Sequence, residues 1–331
     1  MFNSKYPNNA GIWRFHRKAT SVGNFLLAKP RRFSETPQVM FTGTYTAIVT
    51  PFKNGVLDEV ALERLVKLQI KGGVDGIVPV GTTGESPTVD YEEHLEIIAL
   101  TVKCAAGKVK VLAGTGANST SEAVYLTREA EKIGADGSLQ VAPYYNKPSQ
   151  EGLFQHFRAI ARETKLPIVL YSIPGRCGIE IGIETARRLA KECKNIIGIK
   201  EAGGSCERVS QLRAAMGPKF TIMSGDDSLT LPFMSVGAQG VISVASNVIP
   251  REVSQMVDAF ARGDVKTAAQ LHAKYYPVFK DLFIETNPVP VKAALAMMGF
   301  IAEEYRLPLV KMSGPNRAKL KATLKVCGIL K

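Results

Sequence analysis

The chain has 331 residues, 45% of them hydrophobic and 22% charged, with a formal net charge of +12. That length and apolar content suit one large α/β domain with an appendage, or two modest domains. No run reaches the roughly 18 apolar residues of a membrane helix, so a soluble protein with no membrane partner is expected. Residues 1–39 hold seven Lys/Arg against one acid, Glu35, and supply half of the net charge. The remaining basic residues are interleaved with Asp and Glu, so no nucleic-acid footprint is expected.

Five scattered cysteines (Cys104, Cys177, Cys193, Cys206, Cys327) form no C-x-x-C pair. That suits a reducing compartment and a cytoplasmic location. The histidines His16, His94, His156 and His272 are equally dispersed, so neither a metal nor a cofactor is expected. Residues 1–39 are basic, nearly free of acids and without periodicity. A transit-type segment, a disordered tail and a misassigned start at Met40 all account for them. Met40-Phe-Thr-Gly43 directly precedes the first strand, which favours the start-site explanation; organelle import requires a genuine transit segment.

From Tyr45 onwards a short apolar run, a polar or Gly-rich turn and a helical stretch recur. The runs predict strands at 45–50, 76–80, 109–113, 137–142, 168–172, 196–200, 220–224 and 240–244. Between and after them the 3.6-residue periodicity predicts helices over 59–71, 92–105, 121–133, 150–164, 183–191, 207–215, 229–236 and 251–262. Asp58 and Ser149 stand where N-caps belong. Eight strand–helix units predict a (β/α)8 barrel over residues 40–263. A doubly wound sheet would carry a G-x-G-x-x-G loop after its first strand, and Ala47-Ile-Val-Thr-Pro-Phe52 has none. Helical patterns over 264–283, 290–300 and 316–327 predict a C-terminal helical appendage, residues 264–331.

The residue that stands out is Lys200, in the β-rich run Ile196-Ile-Gly-Ile-Lys-Glu-Ala202. An ammonium is almost never fully buried without a partner. Either this lysine escapes at the strand end, or desolvation keeps it as a neutral amine able to form a Schiff base with a carbonyl substrate. Other unusual residues fall in loops after strands, where such barrels carry their active sites. Gly81-Thr-Thr-Gly-Glu-Ser86 offers hydroxyls and backbone N–H groups for a carboxylate or phosphate, though taken alone a capped strand-to-helix turn explains it better. In Pro143-Tyr-Tyr-Asn-Lys-Pro148 the tyrosines by themselves suit packing more readily than chemistry. Leu170-Tyr-Ser-Ile-Pro-Gly-Arg-Cys-Gly178 brings Tyr171 as a proton carrier and Arg176 as a carboxylate clamp. A lysine with tyrosine, hydroxyls and arginine, and no metal set, fits imine-forming carbon–carbon bond chemistry.

These motifs, with Ser224-Gly-Asp-Asp227 and Asn287-Pro-Val-Pro-Val-Lys292, resemble the dihydrodipicolinate synthase family from Met40 to the C-terminus. The wider superfamily includes N-acetylneuraminate lyase. The resemblance implies a lyase that condenses pyruvate with aspartate 4-semialdehyde on the way to diaminopimelate and lysine. It implies Lys200 as the imine residue and Tyr171, Thr83 and Tyr145 as a proton relay, with Tyr145 reaching in from a neighbouring subunit of a homotetramer. Arg176 would bind the semialdehyde carboxylate, while Thr82, Thr83, Gly225 and Ile242 would line the substrate site. A lysine feedback site would map to Ser86, Tyr91, His94, Asn118, Glu122 and Tyr144, with His94 and Glu122 pairing the ligand's charges. Here Tyr91 stands where the family often has His, Pro87 replaces a small residue, and Ser172 replaces a common Asn. The rival readings are another pyruvate-dependent class I lyase such as N-acetylneuraminate lyase, which would lack the Arg176 guanidinium, and a non-catalytic sensor, which would lose the lysine or tyrosines.

Overall fold

The computed structural model describes residues 41–331, so the basic segment and its proposed boundary at residue 39 lie outside the described residues. Eight parallel strands close into a barrel in chain order: Gly43–Ala47, Gly76–Val78, Lys110–Gly114, Gly137–Val141, Ile168–Ser172, Ile196–Glu201, Thr221–Ser224 and Gly240–Ser243. The first strand closes the ring, with Tyr45 opposite Gly76 on one side and Ile242 on the other. All eight lie within three residues of the expected bounds. Burial on both faces is the reason, because it makes each strand a short, nearly unbroken apolar run.

The helices also follow local chemistry. Asp58 caps Glu59–Gly72 by accepting from the Ala61 N–H at 3.0 Å, and Ser149 caps Gln150–Arg162 by accepting from Gly152 at 3.2 Å. After the barrel come Val265–Asp281, Val289–Met297 and Gly314–Val326, which belong to the same compact unit. Two elements were not expected. Phe52–Lys53 and Val56–Leu57 form a small hairpin around Asn54-Gly55, both at positive φ, the signature of a tight hairpin turn. Pro174–Cys177 forms one helical turn after the fifth barrel strand. The helix expected over 229–236 is shorter, Thr230–Ser235, and follows a 3-10 turn at Asp227–Leu229 whose N–H groups Asp226 caps.

Strand alternation sorts two cores. Phe41, Tyr45, Leu112, Val169, Tyr171 and Ile242 fill the barrel interior, while Ile168, Leu170 and Ile199 face the helices. Gly76 leaves room for the Tyr45 ring, since a Cβ there would lie 2.0 Å from it.

Candidate active site

Inward alternation places Lys200 at the C-terminal end of the sixth barrel strand, beside Tyr171 on one neighbouring strand and Met223 on the other. Lys200 is only 6% exposed, and its Nζ lies 4.2 Å from the centroid of the Tyr171 ring. Burial lowers its pKa to about 7; nearby Asp227 pulls it back up and Arg176 pushes it down. The Asp227 carboxylate accepts from the Ser243 hydroxyl and from the N–H groups of Val244 and Ala245, yet burial raises its pKa to about 6. A sizeable fraction of Lys200 is therefore a free amine near neutrality, which is what attack on a carbonyl requires. Gly225 is needed for clearance: a Cβ there would sit 3.1 Å from the Lys200 Cε and 2.6 Å from the Ala202 Cβ.

Facing the lysine is the turn that carries Thr82 and Thr83. Two buried non-glycine residues in left-handed conformation, Val80 (φ 51°) and Glu85 (φ 56°), bracket it. Such strain persists only where the surroundings over-determine it, and it gathers at functional sites. One restraint is visible: the Glu85 carboxylate forms a fully buried ion pair with Lys292 of the helix Val289–Met297. Thr82 presents its side chain to the Tyr171 hydroxyl, whose pKa burial nonetheless pushes up to about 12, so the phenol stays protonated. The Thr83 hydroxyl instead accepts from the Asn287 amide at 3.0 Å. The hydroxyl beside Tyr171 is thus that of Thr82, not Thr83 as expected. The turn's irregular backbone sends adjacent side chains in different directions.

Arg176 stands at the mouth in Pro174–Cys177, its guanidinium donating to the Asn287 main-chain carbonyl at 3.1 Å. An inner chamber of about 40 Å³ brings Lys200, Thr82, Thr83, Arg176, Gly225 and Asn287 together. It adjoins an outer cavity of about 200 Å³, with Thr82, Tyr171 and Arg176 lining both. Ile242 packs in the barrel interior with Tyr171 and Met223, and the residue of its segment that lines the chamber is Val244. Tyr145 is 92% exposed, at φ 73°, and lines neither cavity. Its hydroxyl does not reach the chamber of its own chain.

Of the residues expected to bind lysine, Ser86 and Tyr144 line the outer cavity. The Tyr91 hydroxyl meets the Glu122 carboxylate, and Asn118 donates to the Tyr144 carbonyl at 3.1 Å. His94 is buried, its Nε2 2.7 Å from the Gly114 carbonyl. A carbonyl only accepts, so Nε2 carries the hydrogen, and burial lowers the imidazole pKa. His94 is therefore neutral near pH 7, with Nδ1 as its acceptor nitrogen.

Asp227 and Asn287 belong to the site without having been assigned roles from the sequence. Both sit in motifs that stood out, Ser224-Gly-Asp-Asp227 and Asn287-Pro-Val-Pro-Val-Lys292, but only closure of the chain brings residue 287 against residue 83. Among the described residues no group of His, Cys, Asp and Glu is placed to hold a metal ion.

A (β/α)8 barrel whose strand ends hold a buried lysine titrating near neutrality, a protonated tyrosine beside it and an arginine at the mouth defines a Schiff-base lyase of the class I aldolase type. The comparisons narrow that class. The model of the Dihydrodipicolinate synthetase family matches residues 40–327, and the chain belongs to that family. It is 52% identical over 292 residues to the 4-hydroxy-tetrahydrodipicolinate synthase of Endomicrobium trichonymphae, covering 88% of this chain and 100% of that one. The structure of the 4-hydroxy-tetrahydrodipicolinate synthase from Methylacidiphilum fumariolicum SolV superposes with a TM-score of 0.87 at 59% identity, over 87% of this chain and 96% of that one. That of the Cyanidioschyzon merolae enzyme, solved with lysine bound, gives 0.85 at 43% identity, over 88% and 99%.

Proposed function

We propose that this chain condenses pyruvate with L-aspartate 4-semialdehyde through a lysine Schiff base, giving 4-hydroxy-tetrahydrodipicolinate for diaminopimelate and lysine synthesis. The observation that carries the reading is Lys200, buried at the strand end with its pKa near 7 and its amine over Tyr171. The free amine adds to the C2 carbonyl of pyruvate, and loss of water leaves the imine. A proton leaves the methyl carbon, and the resulting enamine carbon attacks the aldehyde, whose oxygen takes up a proton. The semialdehyde's own amino group then closes on C2 and releases Lys200. Tyr171 and Thr82 carry these protons, with Tyr145 completing the relay from a neighbouring subunit, and Arg176 binds the semialdehyde carboxylate. Thr83 and the backbone at Gly225 hold the carboxylate of pyruvate, above the floor to which Ile242 contributes. The barrel over residues 40–263 carries the chemistry, and the helical part, 264–331, supplies Asn287 and Lys292.

The test is trapping. Borohydride reduction with pyruvate should add mass to Lys200 and to nothing in Lys200→Ala, and aspartate semialdehyde rather than N-acetylmannosamine should be consumed. No adduct on the unsubstituted chain would refute the assignment.

A shared Tyr145 makes the active species a homo-oligomer, which we read as a cytoplasmic homotetramer. Mixing inactive Tyr145→Phe and Lys200→Ala proteins should then restore about a quarter of the activity, because half of the dimers are mixed and each holds one complete site. No recovery after subunit exchange would place Tyr145 outside the relay. Feedback by L-lysine at Ser86, Tyr91, His94, Asn118, Glu122 and Tyr144 is supported by the lysine-bound relative. Glu122 supplies the anion there, so millimolar lysine should slow the enzyme and Glu122→Gln should relieve it.

A further inference from the structure

Asn287 lies directly before the helix Val289–Met297, yet its two polar contacts reach 204 and 111 residues back, to Thr83 and to Arg176. It is 5% exposed and lines the inner chamber with Lys200. Its Nδ2 donates to the Thr83 hydroxyl oxygen at 3.0 Å, and its main-chain carbonyl accepts from Arg176 at 3.1 Å. Its Oδ1 is buried with no partner among the described residues. Leaving a buried amide oxygen unpaired is unfavourable, so a purely structural role explains this side chain poorly.

A threonine hydroxyl has one hydrogen to give and two lone pairs to receive. With Nδ2–H on one lone pair, the hydrogen of Thr83 turns away from Asn287. Thr83 is 2% exposed and lines the chamber, so that hydrogen has the chamber to turn towards. We propose that the Asn287 amide is a positioning residue that sets Thr83 as a hydrogen-bond donor to the carboxylate of the keto acid bound at Lys200. The proposal rests on the pyruvate-imine reading above. An aspartate in this place would be an acceptor only: it would turn the hydroxyl towards itself and set a negative charge against two anionic substrates.

The test is a double-mutant cycle on pyruvate KM with Asn287→Ala and Thr83→Val, singly and together, alongside borohydride trapping and thermal melts. Each single substitution should raise pyruvate KM about tenfold, as loss of a hydrogen bond to a charged group would. The double variant should be no worse than either, because Asn287 acts through Thr83. The semialdehyde KM should stay within about twofold in Asn287→Ala, which keeps the main-chain carbonyl that holds Arg176. Asn287→Asp should raise pyruvate KM further than Asn287→Ala, and Asn287→Ser provides a second small variant should Asn287→Ala fold poorly. Effects that multiply in the double variant, or a change in melting temperature with pyruvate KM untouched, would overturn the role of Asn287. Absence of any Lys200 adduct on the unsubstituted chain would overturn the function itself, so the two failures are distinguishable.

Discussion

Lys200→Met should abolish activity and yet make the fold more stable, by an amount that depends on pH in a calculable way. The amine titrates at 10.5 in an unfolded chain and at about 7 in the folded one. Between those values the unfolded chain binds a proton that the folded chain lacks, so stability of the unsubstituted protein rises with pH. It falls as pH drops towards about 7, below which both states are protonated and the loss is complete. The slope is about 1.4 kcal/mol per pH unit. Moving from about pH 10 to about pH 8.5 should therefore cost the lysine protein about 2 kcal/mol that the methionine variant retains. Asp227, with a folded pKa of about 6, is ionised throughout that window and adds no slope. For a chain of this size, the gap between the two melting temperatures should widen by roughly 3 °C over the same interval. Circular-dichroism melts at matched protein concentration measure it. A gap that is the same at both pH values would show that the amine is not held neutral by burial, and the catalytic argument would fall with it.

Gly225→Ala, whose new methyl would press on the Lys200 Cε from 3.1 Å and on the Ala202 Cβ from 2.6 Å, should lower kcat about 100-fold and cost about 1–3 kcal/mol of stability; an unchanged kcat would show that the lysine has room to yield. Tyr171→Phe should reduce kcat by about 10²–10⁴ while leaving the pyruvate adduct trappable, since the phenol moves protons and the amine forms the bond. Full turnover in that variant would remove Tyr171 from the relay. Glu85→Gln or Lys292→Met alone should cost about 3–5 kcal/mol in urea unfolding, because each strands a buried charge or polar group. Glu85→Leu with Lys292→Met should recover most of the loss, and a double variant as unstable as the two singles combined would contradict this.

Much of the architecture follows from local pattern. Buried parallel strands are bound to be apolar runs, helices are bound to show their 3.6-residue stripe, and Asp58 and Ser149 cap where unsatisfied N–H groups need an acceptor. A lysine within such a run is anomalous from the sequence alone, because a charge rarely enters a two-sided core. The Asn54-Gly55 hairpin was not expected, although it is a local turn with its own dipeptide signature. What the sequence could not decide is direction and reach. Thr82 and Thr83 are neighbours of one chemical type, and an irregular turn held between Val80 and Glu85 in left-handed conformation determines which of them faces Tyr171. Whether His94 carries charge depends on how deeply its ring is buried, which lowers its pKa more than the Gly114 carbonyl, arriving from a neighbouring strand end, can raise it. Asn287 joins the chamber only because the barrel closes and the C-terminal helices fold back over its rim. Strand and helix periodicity act over a few residues and are written in the chain; burial, pKa and long-range hydrogen bonds arise from closure and exist only in the folded molecule.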